Sequence, residues 1–230
     1  ARTPTAAAHL DAAGVATYEF DMDWRLDPAR IVVPEGGHVH TGSIAATLSP
    51  GGAAVLEIVR AARDHATVSY DPNARPTLMG DPAQARTVIE RLIGLADVVK
   101  ASDEDVRWLY GTTPVTQVLA RWAALGPSVC AVTQGGEEVV VLAAGEFERF
   151  PTLPTRVADT VGAGDSFMAG LLSGLLDAGL LGGADARERL RFATWPTISA
   201  AVERALACAA ITVSRAGANP PTRDDLTIDV

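Results

Sequence analysis

The amino-acid sequence predicts an α/β fold built around a mostly parallel sheet. Three observations predict it. From about residue 30, short β-rich runs alternate with amphipathic stretches at helical spacing. The β-rich runs end in polar or glycine-containing turns. The chain has 230 residues, 48% apolar and 20% charged, which is enough for a sizeable core with a globular balance.

The elements follow in order. Residues 14–23 (GVATYEFDMD) alternate like a half-exposed strand and precede the first strand–helix unit, so residues 1–29 read as a β appendage and residues 30–230 as the α/β core. His38-Val39-His40 forms a strand running into Thr41-Gly42-Ser43. A helix after Pro50 carries Val55, Ile58, Val59 and Ala62 on its apolar face. Residues 66–70 read as a strand ending at Asp71-Pro72-Asn73. The next helix places Val88, Ile89, Leu92, Ile93 and Ala96 on one face. A strand at 97–100 leads through Ala101-Ser102 into a helix from Asp103. A strand at 128–133 ends at Gln134-Gly135-Gly136 and pairs with 139–142 as a hairpin. Residues 156–160 lead into a glycine turn, a helix follows that turn, and a last long helix covers about 200–212. In such folds ligands bind beyond the carboxyl ends of the strands, where several of these polar turns fall.

Composition narrows the function. Cys130 and Cys208 lie in apolar runs and read as buried free thiols, in keeping with a reducing compartment. No stretch reads as a membrane span and the first ten residues lack the pattern of a signal peptide, so the default expectation is a cytoplasmic protein without a membrane partner. A net charge of −9 argues against a nucleic-acid partner but not against a small anion held by backbone amides. Lys100 is the only lysine. A phosphate-binding Gly-Lys-Ser/Thr loop is therefore absent, and so are the protein-kinase motifs. Any nucleotide phosphate must be held by another route.

Residues 159–167 read DTVGAGDSF, and an amphipathic helix with Phe167, Met168, Leu171, Leu172, Leu175 and Leu176 on one face follows. Gly162, Ala163 and Gly164 thus stand at a helix N-terminus. Backbone N–H groups there lack internal partners, and the helix dipole adds positive potential. Such a turn can cradle a phosphoryl group while Asp165 accepts the proton of an attacking hydroxyl. The same residues also fit an ordinary helix start capped by Asp165 or Ser166. His38 and His40, one residue apart, face one side of a strand; a metal role competes there with packing or substrate-side polarity.

The whole string resembles the C-terminal signature of the ribokinase-like, or PfkB, carbohydrate kinases. Further segments resemble that family in the same order: HTGS at 40–43, DPNARP at 71–76, ADVVKASDEDVRWLYG at 96–111, the turn at 133–135 and ITVSRAGANPPT at 211–222. Within the family they look most like bacterial fructokinases. The resemblance implies a three-layer α/β/α fold with a mostly parallel central sheet plus the remnant of a β lid. It implies ATP-dependent phosphorylation of a sugar's primary hydroxyl with Mg²⁺, with a sugar and ATP as partners, and it is compatible with a homodimer. Related kinases for another sugar, a sugar acid or a nucleoside are the alternative, as is an inactive binding fragment.

By position, Asp165 matches the family's base, and Gly162, Ala163 and Gly164 its anion hole. Asn73 and Arg75 match residues on the sugar and phosphate side; Thr133, Gly135 and Gly217 match the nucleotide side. Ser102 and Asp105 fall where many relatives carry Asn-x-x-Glu tied to magnesium; a solvated helix face is the competing reading of Asp105. Asp159, Val161 and Val213 resemble a monovalent-cation (K⁺) loop. Glu138 and Leu206 depart from the family's nucleotide side. The family's early aspartate and paired-glycine segment have no match, so the chain is expected to begin inside the lid region.

Overall fold

The computed structural model describes residues 3, 5–10 and 16–226. Two strands, β1 (Thr5–Leu10) and β2 (Ala16–Asp21), pair antiparallel as a separate two-stranded sheet. The alternating stretch expected at 14–23 is β2 over its central part; residues 11–15 lie outside the described residues.

The core is a six-stranded sheet in simple sequential order. It comprises β3 (His38–Gly42), β4 (Thr67–Asp71), β5 (Val98–Ser102), β6 (Val129–Gln134), β7 (Glu138–Ala143) and β8 (Glu146–Pro151). The first four are mutually parallel, and β7 and β8 turn back antiparallel. Each parallel crossover is helical, as a parallel pair requires. The helices are α1 (Ser43–Thr47), α2 (Gly51–Ala62), α3 (Pro76–Met79), α4 (Pro82–Ile93), α5 (Asp103–Tyr110), α6 (Val115–Ala123), α7 (Ala163–Asp177), α8 (Ala184–Arg191) and α9 (Trp195–Val213).

Alternation along the strands divides the core into two layers. Val99, Ala101, Cys130, Val132, Val140 and Leu142 face a cluster completed by α2, α4, α5 and α6. Val98, Val129, Ala131, Val139 and Val141 face a second cluster completed by α7, α8 and α9. Burial on both faces explains why these strands read as near-continuous apolar runs. The fold is thus the expected three-layer α/β/α arrangement. Both cysteines are buried and free.

One sequence expectation is corrected. The helix α9 is long and apolar enough to cross a membrane by length and composition. Its apolar face is instead a core face: Ile198, Ala201, Val202, Ala205 and Leu206 are buried against the second layer. The α7 and α9 helices approach closely because Gly170 and Gly174 offer no side chain. A Cβ on Gly174 would stand 2.7 Å from Ala201 Cα. This packing fixes the axis of α7, and so the direction in which its first turn points.

Charge is buried in the sheet where it is paired. Asp97 Oδ1 accepts from Arg187 Nε at 2.7 Å, and its Oδ2 accepts from the backbone N–H of Val68 at 2.8 Å. Arg187 also donates to the carbonyls of Arg63 and Ala66, tying α8 to the start of β4.

Candidate active site

A cleft of about 660 Å³ opens at the carboxyl ends of β4, β5 and β6 and the N-terminus of α7. It brings together Asn73, Arg75, Asp105, Thr133, Gly135, Gly162, Ala163, Gly164, Asp165 and Val213. These ten expected site residues come from five separate segments of the chain. Asp159, Val161 and Gly217 are not on its wall; they form the loop behind the glycine turn. Lys100, Val139, Leu206, Ala209 and Ala210 also line the cleft and were not expected there, except for Leu206.

The glycine turn has a physical construction. Gly162 adopts φ +80°, in the left-handed region, and is the N-cap of α7. A Cβ there would also meet Ala218 Cβ at 3.0 Å, so both conformation and space call for glycine. The competing cap reading is not what forms: no side chain caps α7. Ser166 is buried and donates to the Cys208 carbonyl, while Thr212 Oγ1 donates to Ser166 Oγ at 2.6 Å. Those bonds anchor the first turn of α7 to α9. The N–H of Ala163 reaches back to Thr160 O, and no protein acceptor takes the N–H of Gly164 or Asp165 among the described residues. Asp165 itself is exposed within the cleft.

Behind the turn, Asp159 acts as a clasp. Its Oδ1 accepts from Val161 N–H and its Oδ2 from Gly217 N–H, each at 3.0 Å. Those amides hold its carboxyl below the usual carboxylate range. Val213 O accepts two N–H groups, from Ala158 and Asp159. Its two lone pairs are therefore in use, and it does not fit as a cation ligand. A monovalent cation would rest on Asp159 and the Val161 carbonyl.

On the opposite wall, the loop after β4 is fixed by unusual backbone and side-chain bonds. Asn73 takes φ +34°, a conformation that asparagine tolerates, and its carbonyl accepts from Ser43 Oγ at 3.0 Å. Arg75 folds back, with Nη1 at 2.6 Å from Asn73 Oδ1. Asp105 secures this loop to α5. Its Oδ1 accepts from Ala74 N–H at 2.6 Å and its Oδ2 from Ser102 N–H at 2.9 Å, closing a capping box with Ser102. Asp105 is 6% exposed, so the solvated-face reading is corrected: this carboxylate is a buried tether. Asp103 and Glu104 beside it line the cleft.

Four polar residues of the neighbouring strands β3 and β4 bond to one another outside the cleft wall. His40 Nδ1 and His38 Nε2 each lie within hydrogen-bond distance of Ser69 Oγ, and His38 Nδ1 lies 2.8 Å from Thr67 Oγ1. The two rings are thus engaged by hydroxyls, and no group of three metal-binding side chains occurs among the described residues. Burial pushes both imidazoles below their usual range, His38 to about 4. On the nucleotide side, Glu138 accepts from Gln134 Nε2 and from Arg149, which pins the hairpin of β6 and β7.

The family model for pfkB carbohydrate kinases matches residues 1–225. A fructokinase of Klebsiella pneumoniae is 35% identical over 188 residues, covering 78% of this chain and 61% of that relative. A fructokinase of Escherichia coli is 34% identical, covering 83% of this chain and 60% of the relative. The chain thus spans about three fifths of these curated relatives. Among solved structures, a double mutant of Vibrio cholerae O395 fructokinase in a fructose-, ADP- and potassium-bound form superposes with a TM-score of 0.76 at 26% identity, covering 93% of this chain and 68% of that one.

Proposed function

This chain belongs to the pfkB family of carbohydrate kinases, and from that premise we propose that it transfers the γ-phosphoryl group of ATP to the primary hydroxyl of a sugar, with fructose as first candidate. The observation that carries the proposal is the uncapped first turn of α7, with free amides and an exposed carboxylate side by side in one cleft.

Each residue then has a task. Asn73 and Arg75 orient the sugar on the β4 side. Thr133 and Gly135, at the hairpin of β6 and β7, border the nucleotide together with Leu206; Gly217 supports that side through its bond to Asp159. Asp165 takes the proton of the sugar hydroxyl as its oxygen attacks the γ-phosphorus. The free amides of Gly164 and Asp165, in the turn that Gly162 and Ala163 begin, face the charge that spreads over the phosphoryl oxygens. Catalysis of this kind needs positioning and electrostatics more than covalent chemistry from the protein.

Mg²⁺ fits the site as an ion that arrives on the ATP phosphates. Such ions keep several waters and use one or two carboxylates, and the cleft offers Asp105 and Glu104 rather than a closed cage. Both Asp105 oxygens already accept an amide, so Asp105 would act on that ion through water. The ion's contribution is charge neutralisation at the phosphates.

Sugar-stimulated ADP release, measured with fructose, ribose, a sugar acid and a nucleoside, tests the proposal. Stimulation by fructose above the others is expected. Stimulation by another member of the panel moves the substrate but keeps the chemistry. Absence of Mg²⁺-dependent release with all of them contradicts it.

A further inference from the structure

The cleft holds only two cationic side chains among its lining residues, Arg75 and Lys100. Arg75 is exposed and bound to its own loop. Lys100 is different. It is the third residue of β5, 4% exposed, on the sheet face that packs under α7. Its Nζ lies 2.9 Å from Asp71 Oδ2, and both side chains are 5% exposed.

An ammonium has three N–H donors. Asp71 takes one, and no other acceptor engages Nζ among the described residues. The head group is also pressed against the glycine turn: a Cβ on Gly164 would stand 2.9 Å from Lys100 Nζ. Gly164 has ordinary helical backbone, so a Cβ there would be accommodated by displacing the lysine head group and not by a change of local conformation. A buried side-chain donor therefore sits against the turn that carries the free amides and opens onto the same cleft.

Stability does not account for this arrangement. Replacing a buried ion pair with apolar residues of similar volume is often neutral or stabilising, because desolvation offsets the Coulomb gain. The neighbouring charges are arranged around the lysine. His40 faces both Lys100 and Asp165, and burial, with the Lys100 charge next, holds its imidazole below the usual range. Lys100 is left as the cation beside the turn, with Asp71 as its counter-ion.

We propose that Lys100, held in place by Asp71, donates directly to the phosphoryl group in transfer, so that Lys100 is a catalytic residue and Asp71 a positioning residue. The inference rests on the kinase reading above and adds to it a charged partner for the amide cradle. In the step itself, the sugar hydroxyl oxygen forms the new bond to Pγ. The bond from Pγ to the bridging oxygen breaks, its electron pair leaves on ADP, and the hydroxyl proton passes to Asp165. Lys100 keeps its three protons throughout and offers one to an equatorial phosphoryl oxygen. A fixed cation at that point favours the transition state over bound ATP only if it is aligned with the charge that develops there, which the Asp71 bond secures.

The test compares wild type with Lys100→Met, Lys100→Arg and Asp71→Asn. It measures kcat with fructose, affinity for MgADP, and the gain in ADP affinity on adding aluminium fluoride with fructose as a mimic of the transferring group. Lys100→Met should lower kcat by roughly 10²- to 10³-fold, the scale of one lost transition-state donor. It should change MgADP affinity by less than about threefold while abolishing most of the fluoride-dependent gain. Lys100→Arg should lose nearly as much, since a planar fork does not fit the space of a point charge. Asp71→Asn should fall in between, with kcat affected more than KM. Lys100→Met with wild-type kcat and an intact fluoride gain overturns the proposal and leaves the kinase reading standing. A wild type that shows no sugar-dependent ADP release and no fluoride gain sinks both. Should Lys100→Met fail to fold, Gly164→Ala displaces the ammonium by its new Cβ while keeping the charge. The fluoride gain should then drop in Gly164→Ala, and its persistence there would overturn the proposal.

Discussion

Removal of the Asp105 carboxylate separates a structural tether from a metal ligand. Asp105→Ala deletes two charge-assisted hydrogen bonds, from Ala74 N–H at 2.6 Å and Ser102 N–H at 2.9 Å. Bonds to a charged acceptor are each worth about 1.5–3 kcal/mol. Both donors are only partly buried, so water replaces some of the loss and the low end applies. The sum is about 3 kcal/mol, of the same order as a lost cap with one orphaned amide. For a domain of this size each kcal/mol moves the melting temperature by about 2–4 °C, so the expected fall is about 6–12 °C. Thermal and urea unfolding without Mg²⁺ or nucleotide is the assay. Asp105→Asn should lose less, because one oxygen remains while the new NH₂ opposes a backbone donor. Melting within about 2 °C of wild type in the metal-free protein would refute the tether.

Tyr70 is fully buried and its hydroxyl has no hydrogen-bond partner among the described residues. Tyr70→Phe should therefore be neutral or stabilising by up to about 1 kcal/mol, since it removes an unsatisfied polar group; urea unfolding showing a loss above about 1 kcal/mol would contradict this. His38, with its pKa lowered to about 4 chiefly by burial, stays neutral in the fold while the unfolded chain titrates near 6.5. The unfolded state binds the extra proton between those values, so stability is full above about pH 6.5 and falls as the pH drops toward 4. The loss from this one group is about 3 kcal/mol, and His38→Gln should flatten that part of the pH–stability curve; an unchanged slope counts against it. Gly174→Ala gains about 1 kcal/mol of helix propensity but puts a Cβ 2.7 Å from Ala201 Cα, and overpacking costs about 1–3 kcal/mol. A net loss of up to about 2 kcal/mol is expected in urea unfolding, and a more stable variant would show that α7 and α9 yield freely.

Much of the fold was legible because its signals are local. The strand–helix alternation from residue 38 to 110 follows from period-2 and period-3.6 patterns, and α4 shows its apolar face at Ile89, Leu92 and Ile93 without ambiguity. The short elements were missed. The α1 helix has five residues, too few for a period, and α8 reads ADARERLR, with only Ala186 and Leu190 buried. Strand β8 is exposed along most of its length, so nothing in its residues marks an inner face. The α9 helix begins at Trp195, about five residues before the expected 200, because Pro196 is tolerated in a first helical turn.

The candidate site was legible in a different way. Asp165 and the glycine turn follow from helix-end physics, while the grouping of Asn73, Thr133 and Gly135 with them came from the family resemblance. Lys100 was visible in the sequence as the single lysine, but its use depends on two neighbours, Asp71 and Gly164, that only the folded sheet brings to it. Asp105 was read as a metal or solvent-facing group because a capping box and a tether across 31 residues cannot be told apart in one dimension.

The most direct measurement is phosphoryl transfer by Asp165→Asn alongside MgATP binding by calorimetry. The account predicts a fall in kcat of roughly 10²- to 10⁴-fold, the usual range for a lost general base, with ATP affinity within about threefold of wild type. Turnover close to wild type would remove Asp165 from the chemistry and the cradle beside it from its assigned role.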